Sequence, residues 1–457
     1  MKIVADLESQ LRSGLRKFQV PGASLGIYRS GRLQTCAGGV INLNTGVKAT
    51  TDTVFQIGSI TKPVTTTLVM QLIEEGAVEL DAPVVEYLPE FRVARLDISR
   101  KVTIRHFLSH TSGIDGDLFV DTGRGDEATA RFIDRCTQVP SLFEPGTQMS
   151  YCNLGFAVLG RIIELQRNKS YDQALHDHLF KPLNMQHALS RPEDTLKYRT
   201  AIGHLPNTKK PGTWRVTPAP YLSFGQKAAG ATPAMSVGDL LTFARMHLDR
   251  GKGADGTRIL KSSSVSAMQR RQIRLPKHMR NGIHAWGLGW CLMNWQGQKL
   301  YGHDGATMGQ FAFLRVLPED NIAVALLTNG GDAQGLYRHL YDSIFGKLAR
   351  VSDPQLPAPL TKQPDPGRYI GHYENILNRI EIGQHQGRAT IQSVHKDSGV
   401  PAFPERTPIT FVDQHTARPD TGQDVFDRQP IHFSDYDPTG KATFLKTGFR
   451  RYPRTGA

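Results

Sequence analysis

An α+β protein that ends in a small all-β unit is what the order of hydrophobic patterns predicts. Strand patterns occupy both ends of the first 350 residues and helical patterns fill the middle. A proline-rich stretch then separates this block from a run of short strands.

Residues 1–18 carry a helical pattern. Ala23–Tyr28 and Leu33–Ala37 read as two strands turned at Arg29-Ser30-Gly31-Arg32, an antiparallel start. From Ser59 to about Arg271 the period is helical, punctuated at Thr111-Ser112-Gly113, Glu144-Pro145-Gly146-Thr147 and Pro182-Leu183-Asn184. Ser236 and Asp239 form a capping pair for a helix through Leu248. Strands return at Gly287–Met293, Lys299–Gly302, Phe311–Leu317 and Ile322–Leu327, and a helix runs from about Ala333 to Leu348. One sheet built from both ends of a segment, with a helical insert between, accounts for this order.

Five prolines (354, 357, 359, 364 and 366) make Val351–Pro366 a stiff linker. Beyond it Tyr369–Tyr373, Ile380–Ile382, Ala389–Val394, Ile409–Val412, Ile431–Phe433 and Ala442–Leu445 are strands of a small barrel or sandwich. The expected domains are residues 1–350, with a helical lobe over about 76–275, the linker 351–366, and a β domain over 367–457.

The chain of 457 residues, 39% hydrophobic and 21% charged, has room for two or three domains. No stretch approaches the roughly 20 apolar residues of a membrane span, and Met1–Arg16 is a charged amphipathic segment without a signal-peptide core, so the expected location is cytoplasmic. The net charge of +13 raises nucleic-acid binding. Its basic residues are scattered, however, in short pairs such as Lys209-Lys210 and Arg270-Arg271, with no recognition signature beside them. A solvated basic surface is the better reading. Cys36, Cys136, Cys152 and Cys291 form no metal or disulfide pattern, and His106 with His110 lacks the glutamate of a zinc helix. No metal or cofactor is expected.

Chemistry concentrates at Ser59-Ile60-Thr61-Lys62, where an amine follows a hydroxyl at helical i, i+3 spacing. An uncharged lysine there can take the serine proton and make Ser59 a nucleophile, at a cost of roughly 3 to 4 kcal/mol for losing its own proton near neutral pH. Gly58 leaves room beside the serine, and Thr65–Glu75 reads as an amphipathic helix with Leu68, Val69, Leu72 and Ile73 on one side. Pro63 predicts a tight or irregular first turn.

Two further clusters suit the same chemistry. In Tyr151-Cys152-Asn153 the phenol can shuttle a proton and the amide can orient Lys62, although a helix cap and a half-buried aromatic describe the same residues. His303-Asp304-Gly305 reads either as a strand-end turn with a surface histidine or as one wall of a cleft. In the second case Gly305 admits a substrate backbone, and the Ala306 and Ser59 N–H groups form an oxyanion hole. Gly22-Ala23-Ser24-Leu25-Gly26 matches a nucleophile elbow but runs into a strand, and Gly251–Gly256 matches a dinucleotide loop but follows a helix.

Gly58–Lys62, Tyr151–Asn153 and His303–Gly305, in that order, resemble the three motifs of the β-lactamase-related serine hydrolases. That family includes class C β-lactamases, penicillin-binding carboxypeptidases, D-aminopeptidases and family VIII esterases. Val102–Gly113 and Phe143–Thr147 resemble its connecting segments, and the likeness spans about residues 5–350. It implies a β-lactamase/transpeptidase-like antiparallel sheet flanked by helices, an all-helical lobe and a site between them. Ser59 is then the acylated nucleophile, Lys62 and Tyr151 manage its proton, and Asn153 and His303 line the cleft. The third motif lacks the lysine of true β-lactamases, which favours a carboxyl ester or a D-amino-acid-type peptide amide over a β-lactam.

The β domain is similar to the lipocalin-like appendage of some D-peptidases and of penicillin-binding-protein-type thioesterases. That implies an alternative, release or macrocyclisation of a peptide from a carrier-protein-bound thioester, with Arg450 or Arg451 meeting a substrate carboxylate. A weakly turning-over penicillin-binding sensor is the third reading.

Overall fold

One eight-stranded antiparallel sheet takes its strands from both ends of the first block. Its spatial order is Arg32–Gly39, Gly22–Arg29, Ile322–Thr328, Phe311–Leu317, Gln298–Ala306, Cys291–Trp295, Ile283–Trp286 and Ile273–Arg274. The computed structural model describes residues 3–396, 401–421 and 429–456; Met1, Lys2 and Ala457, which fall within the expected terminal elements, lie outside the described residues. Gly22–Arg29 pairs with Ile322–Thr328 from Ala23↔Thr328 to Arg29↔Ile322, so the N-terminal hairpin is completed by the far end of the block.

Both faces of this sheet are covered, which is why its central strands read as continuous apolar runs rather than alternating ones. On one face Leu7, Leu11 and Leu15 of the helix Leu7–Lys17 pack with Leu336, Leu340 and Ile344 of the helix Ala333–Ala349 over Leu25, Ile27, Val324 and Leu326. On the other, Val237, Leu240 and Leu241 of the helix Val237–Leu248 meet Ala323, Ala325 and Leu327. Ser236 caps that helix by accepting from the Asp239 N–H, as the sequence predicts.

Three local expectations are corrected. The helix after Ser59 begins at Thr61, not Thr65, because a 3-10 turn over Gly58–Ile60 leads into it and Pro63 falls in its first turn, where no N–H is needed. It is buried from Thr61 through Leu72 instead of showing one apolar side. Its polar residues are satisfied inside: Thr65 donates to Ala228 O at 2.7 Å, Thr66 to Lys62 O at 2.8 Å and Thr67 to Pro63 O at 3.0 Å. The strand expected at Gly287–Met293 is two strands, Ile283–Trp286 and Cys291–Trp295, joined by a turn in which Gly287 N–H donates to Trp290 O at 2.8 Å. The strand expected to stop at Gly302 continues to Ala306, so His303 lies within it, only 4% exposed and not on the surface.

Downstream, eight antiparallel strands from Gly371–Glu374 to Arg450–Gly456 follow one another around a closed barrel, sealed by His372↔Gly456 and Tyr373↔Arg454. Closure removes both sheet edges, and Tyr369, Tyr373, Ile391, Phe411, Phe433 and Leu445 fill the interior. Of the linker prolines, Pro354, Pro357, Pro359 and Pro364 carry no regular structure and Pro366 opens a 3-10 turn over Pro366–Arg368, yet Val351 and Asp353 are buried and Leu360 N–H donates to Phe411 O at 2.8 Å.

Candidate functional site

Ser59 and Lys62 sit where the 3-10 turn becomes an α-helix, which puts both side chains on one side of the first turn. Lys62 is completely buried. Its Nζ donates to Asn153 Oδ1 at 2.8 Å and to Ala229 O at 2.6 Å, and it lies 3.0 Å from Ser59 Oγ. Two acceptors take two N–H groups, so an uncharged amine has its lone pair left for the Ser59 hydroxyl. Burial drives Lys62 well below the ordinary lysine range, the Arg450 charge pushes the same way, and Asp117 opposes both.

Tyr151 and Asn153 arrive on the segment entering the helix Asn153–Arg167. Asn153 does not cap that helix; Cys152 occupies the cap position, and the Asn153 amide is free to bridge Lys62 and Asp117, donating to Asp117 Oδ1 at 2.7 Å. Tyr151 is hydrogen-bonded to Ser59, and burial lifts its phenol well above the usual tyrosine range. Burial thus disfavours the charged form of both members of the pair, the Lys62 ammonium and the Tyr151 phenolate. His110, which lies in the connecting segment Val102–Gly113, fixes this segment. It takes a left-handed backbone (φ 57°), accepts the Cys152 N–H on Nδ1 at 2.9 Å and the Ser150 N–H on its carbonyl at 3.0 Å, and stacks on the Tyr151 ring at 4.2 Å.

The opposite wall is the strand Gln298–Ala306. Gly305 packs directly on the serine turn: a Cβ there would stand 1.9 Å from Ile57 O and 3.1 Å from Ser59 N. A Cβ on Gly58, whose φ is +49°, would stand 2.6 Å from Ala306 N. Glycines at these two positions let the strand and the turn touch. Thr307 N–H is already bonded to Gln310 O, so by the alternation of an antiparallel ladder the Ala306 N–H faces away from its strand partner, toward the Ser59 turn. His303 Nδ1 donates to Asp304 O at 2.6 Å, Nε2 has no partner among the described residues, and burial lowers the imidazole to about 3, so it is neutral.

The third wall comes from the barrel. The turn joining Ala442–Thr447 to Arg450–Gly456 has Gly448 and Phe449 in left-handed conformation (φ 54° and 67°). Phe449 O accepts the Tyr151 N–H at 2.9 Å, while the Phe449 ring sits edge-on to Trp286 at 5.6 Å. Arg450 reaches over the Tyr151 ring at 5.1 Å and is ion-paired through Nε and Nη2 to Asp117. Arg450 thus lines the cleft. Arg451 does not: the alternation of the strand turns it away to pair with Asp435 and to lie over Phe444 at 4.2 Å.

Together these elements enclose a cleft of about 790 Å³ that contains Ser59, Tyr151, Asn153, His303, Gly305, Ala306 and Arg450. It also reaches Trp286, Phe449, Arg280 and the linker residues Pro354 and Leu356, which sequence reasoning did not select. Trp286 and Phe449 carry no reactive group, so no motif marked them. Among the described residues no cluster of His, Cys, Asp or Glu is arranged to hold a metal, and all four cysteines are buried and unpaired.

Residues 7–345 match the Beta-lactamase family model. The chain belongs to the beta-lactamase family. Members of this family are serine hydrolases. "Penicillin-binding protein 4" of Amycolatopsis lactamdurans is 44% identical over 342 residues, covering 74% of this chain and 89% of that protein. The crystal structure of SurE superposes with a TM-score of 0.78 at 26% identity over 98% of each chain, and SurE is also known with D-Leu. D-amino acid amidase from Ochrobactrum anthropi shares the fold at a TM-score of 0.60 and 22% identity, over 75% of this chain and 99% of that one. No helix among the described residues is long and apolar enough to cross a membrane.

Proposed function

We propose that this protein is a serine acyl-enzyme hydrolase that takes a carboxyl ester or a D-amino-acid-type peptide amide and uses Ser59 as nucleophile. The observation that carries this reading is the buried Lys62 amine, placed 3.0 Å from Ser59 Oγ by two carbonyl acceptors. Lys62 removes the hydroxyl proton as Oγ attacks the acyl carbon, and the Ser59 and Ala306 N–H groups meet the developing oxyanion. The proton passes through the Tyr151 phenol to the leaving group. Water activated by the same pair then breaks the Ser59 ester. Relatives named for a D-amino acid amidase and for SurE with D-Leu support a substrate with a D-residue at the scissile bond. Four unpaired thiols suit a reducing compartment, and we place the protein in the cytoplasm.

A second reading is favoured by the barrel turn. Phe449 and Arg450 narrow the cleft beside Tyr151, which restricts water and offers a cation to the carboxylate of an incoming acyl acceptor. That suits transfer from a peptidyl thioester, including a carrier-bound one, to an amine of the same chain. The 44% identity to a protein named for penicillin binding supports a third arm, slow acylation by a β-lactam. One panel separates them: p-nitrophenyl esters, D- and L-amino-acid p-nitroanilides, a peptidyl thioester and penicillin, each run beside Ser59→Ala. Turnover of the ester or D-anilide that vanishes in Ser59→Ala supports hydrolysis, and cyclised product from the thioester supports transfer. Full turnover in Ser59→Ala ends every arm.

A further inference from the structure

Asn153 is an amide with two unlike ends, and the site needs it one way round. Its Oδ1 must face Lys62, because a lysine offers N–H groups and an amide nitrogen there would meet donor with donor. What decides the orientation is the group on the far side. Asp117 presents an acceptor at 2.7 Å to Asn153 Nδ2, and an ionised carboxylate has no donor with which to welcome the other end.

Asp117 is itself a buried carboxylate, with 1% of its side chain exposed, and the cation beside it comes from the barrel. Arg450 pairs with both of its oxygens. Asp115, two residues away, shows what this environment does to a carboxyl that, among the described residues, is bonded by a backbone N–H alone, that of Ile376 at 2.7 Å: burial pushes it up to about 7. A chain of contacts therefore runs from the barrel turn through Arg450, Asp117 and Asn153 to Lys62.

We propose that Asp117 is a positioning residue: held by the barrel's Arg450, it locks the Asn153 amide so that Lys62 is presented to Ser59. This rests on Lys62 being the base for Ser59. The barrel is then a working part of the acylation machinery and not only a wall for substrate. The pair also acts on Lys62 electrostatically with opposed signs, Asp117 favouring the ammonium and Arg450 the amine. The other groups facing Lys62 are Tyr151 and Cys152 at the start of the helix Asn153–Arg167, His110, Cys291 and His303. Both histidines are held neutral by burial, and the cysteines and tyrosine are held protonated. Asp117 and Arg450 are thus the charged groups whose removal moves the acid limb.

The test uses the full chain and the rate of Ser59 labelling by a fluorophosphonate as a function of pH. In Asp117→Asn the amide can turn over, and labelling near neutral pH falls by about tenfold or more. Its acid limb moves to lower pH, while that of Arg450→Gln moves to higher pH. The double variant loses no more than Asp117→Asn alone, because both act through one amide. A purely structural role would slow both variants without opposite movement of the limbs, and that result overturns the proposal. So does wild-type rate and profile in a folded Asp117→Asn. Should Asp117→Asn not fold, Arg450→Gln decides by itself, since an unmoved limb there refutes the coupling. If the wild type is not labelled on Ser59, the underlying reading fails; if it is labelled and Asp117→Asn matches it, only this inference fails.

Discussion

Gly305→Ala perturbs the site without touching a reactive group. The added Cβ would stand 1.9 Å from Ile57 O and 2.8 Å from Ile57 C, both backbone atoms that no side-chain rotation can clear. Real contacts of this kind stay above about 3 Å, so the strand Gln298–Ala306 and the serine turn must part by about 1 Å. That is the distance over which the Ala306 and Ser59 N–H groups would have to cooperate. Misplacement by about 1 Å, or loss of one oxyanion donor, costs about 10² to 10³ in rate, equivalent to about 3 to 4 kcal/mol. Overpacking costs a further 1 to 3 kcal/mol or so of stability, which a buried core of this size withstands. The assay is Ser59 labelling by a fluorophosphonate, with thermal unfolding alongside. Gly346→Ala is the control, since nothing lies within 4 Å of its Cβ position in the helix Ala333–Ala349. Labelling of a folded Gly305→Ala within a few-fold of wild type would refute the oxyanion assignment.

Three further outcomes follow from the buried ionisable groups. Lys62→Met should lower acylation by about 10² to 10⁴, measured with the same probe. Because the folded protein holds Lys62 below its ordinary 10.5, the unfolded chain binds more protons at alkaline pH; wild-type stability rises with pH toward that value, and the slope due to Lys62 disappears in Lys62→Met. Asp115 has the opposite sense. Its carboxyl is raised from 3.8 to about 7, so its contribution to stability is complete below pH 4 and is lost as pH climbs through 7. Asp115→Asn keeps an acceptor for the Ile376 N–H and should be more stable than wild type above pH 7 but not at pH 4, as read by denaturant unfolding at the two pH values.

Much of the first block and of its candidate site was legible because its signals are local. Ser59 and Lys62 are three residues apart, and a helical period alone puts them together. The three motifs appear in the expected order, and the resemblance drawn from them agrees with the family match over residues 7–345. What the sequence hid is mostly long-range. The helix after Ser59 looked amphipathic because Thr65, Thr66 and Thr67 are polar, and only the fold reveals the carbonyls that satisfy them. Arg450 and Arg451 were indistinguishable as a basic pair until strand alternation sent one into the cleft and the other to Asp435. Two barrel strands, Thr416–Pro419 and Arg450–Gly456, were missed because arginines and prolines interrupt their apolar pattern, and only barrel closure makes them strands. Asp117 stood unmarked in a loop, since its meaning depends on a cation 333 positions later.

The placement of Gly22–Arg29 between its hairpin partner and Ile322–Thr328 has a cost during synthesis. Its buried neighbour is separated from it by about 290 residues, which at 5 to 20 residues per second reach the ribosome exit roughly 15 to 60 s later. Throughout that interval a strand of Ala23, Leu25 and Ile27 waits with one edge unsatisfied, a template for pairing with other nascent chains. Expression yield should therefore depend on translation speed and on chaperones that shield the emerging hairpin more than on the final stability of the enzyme.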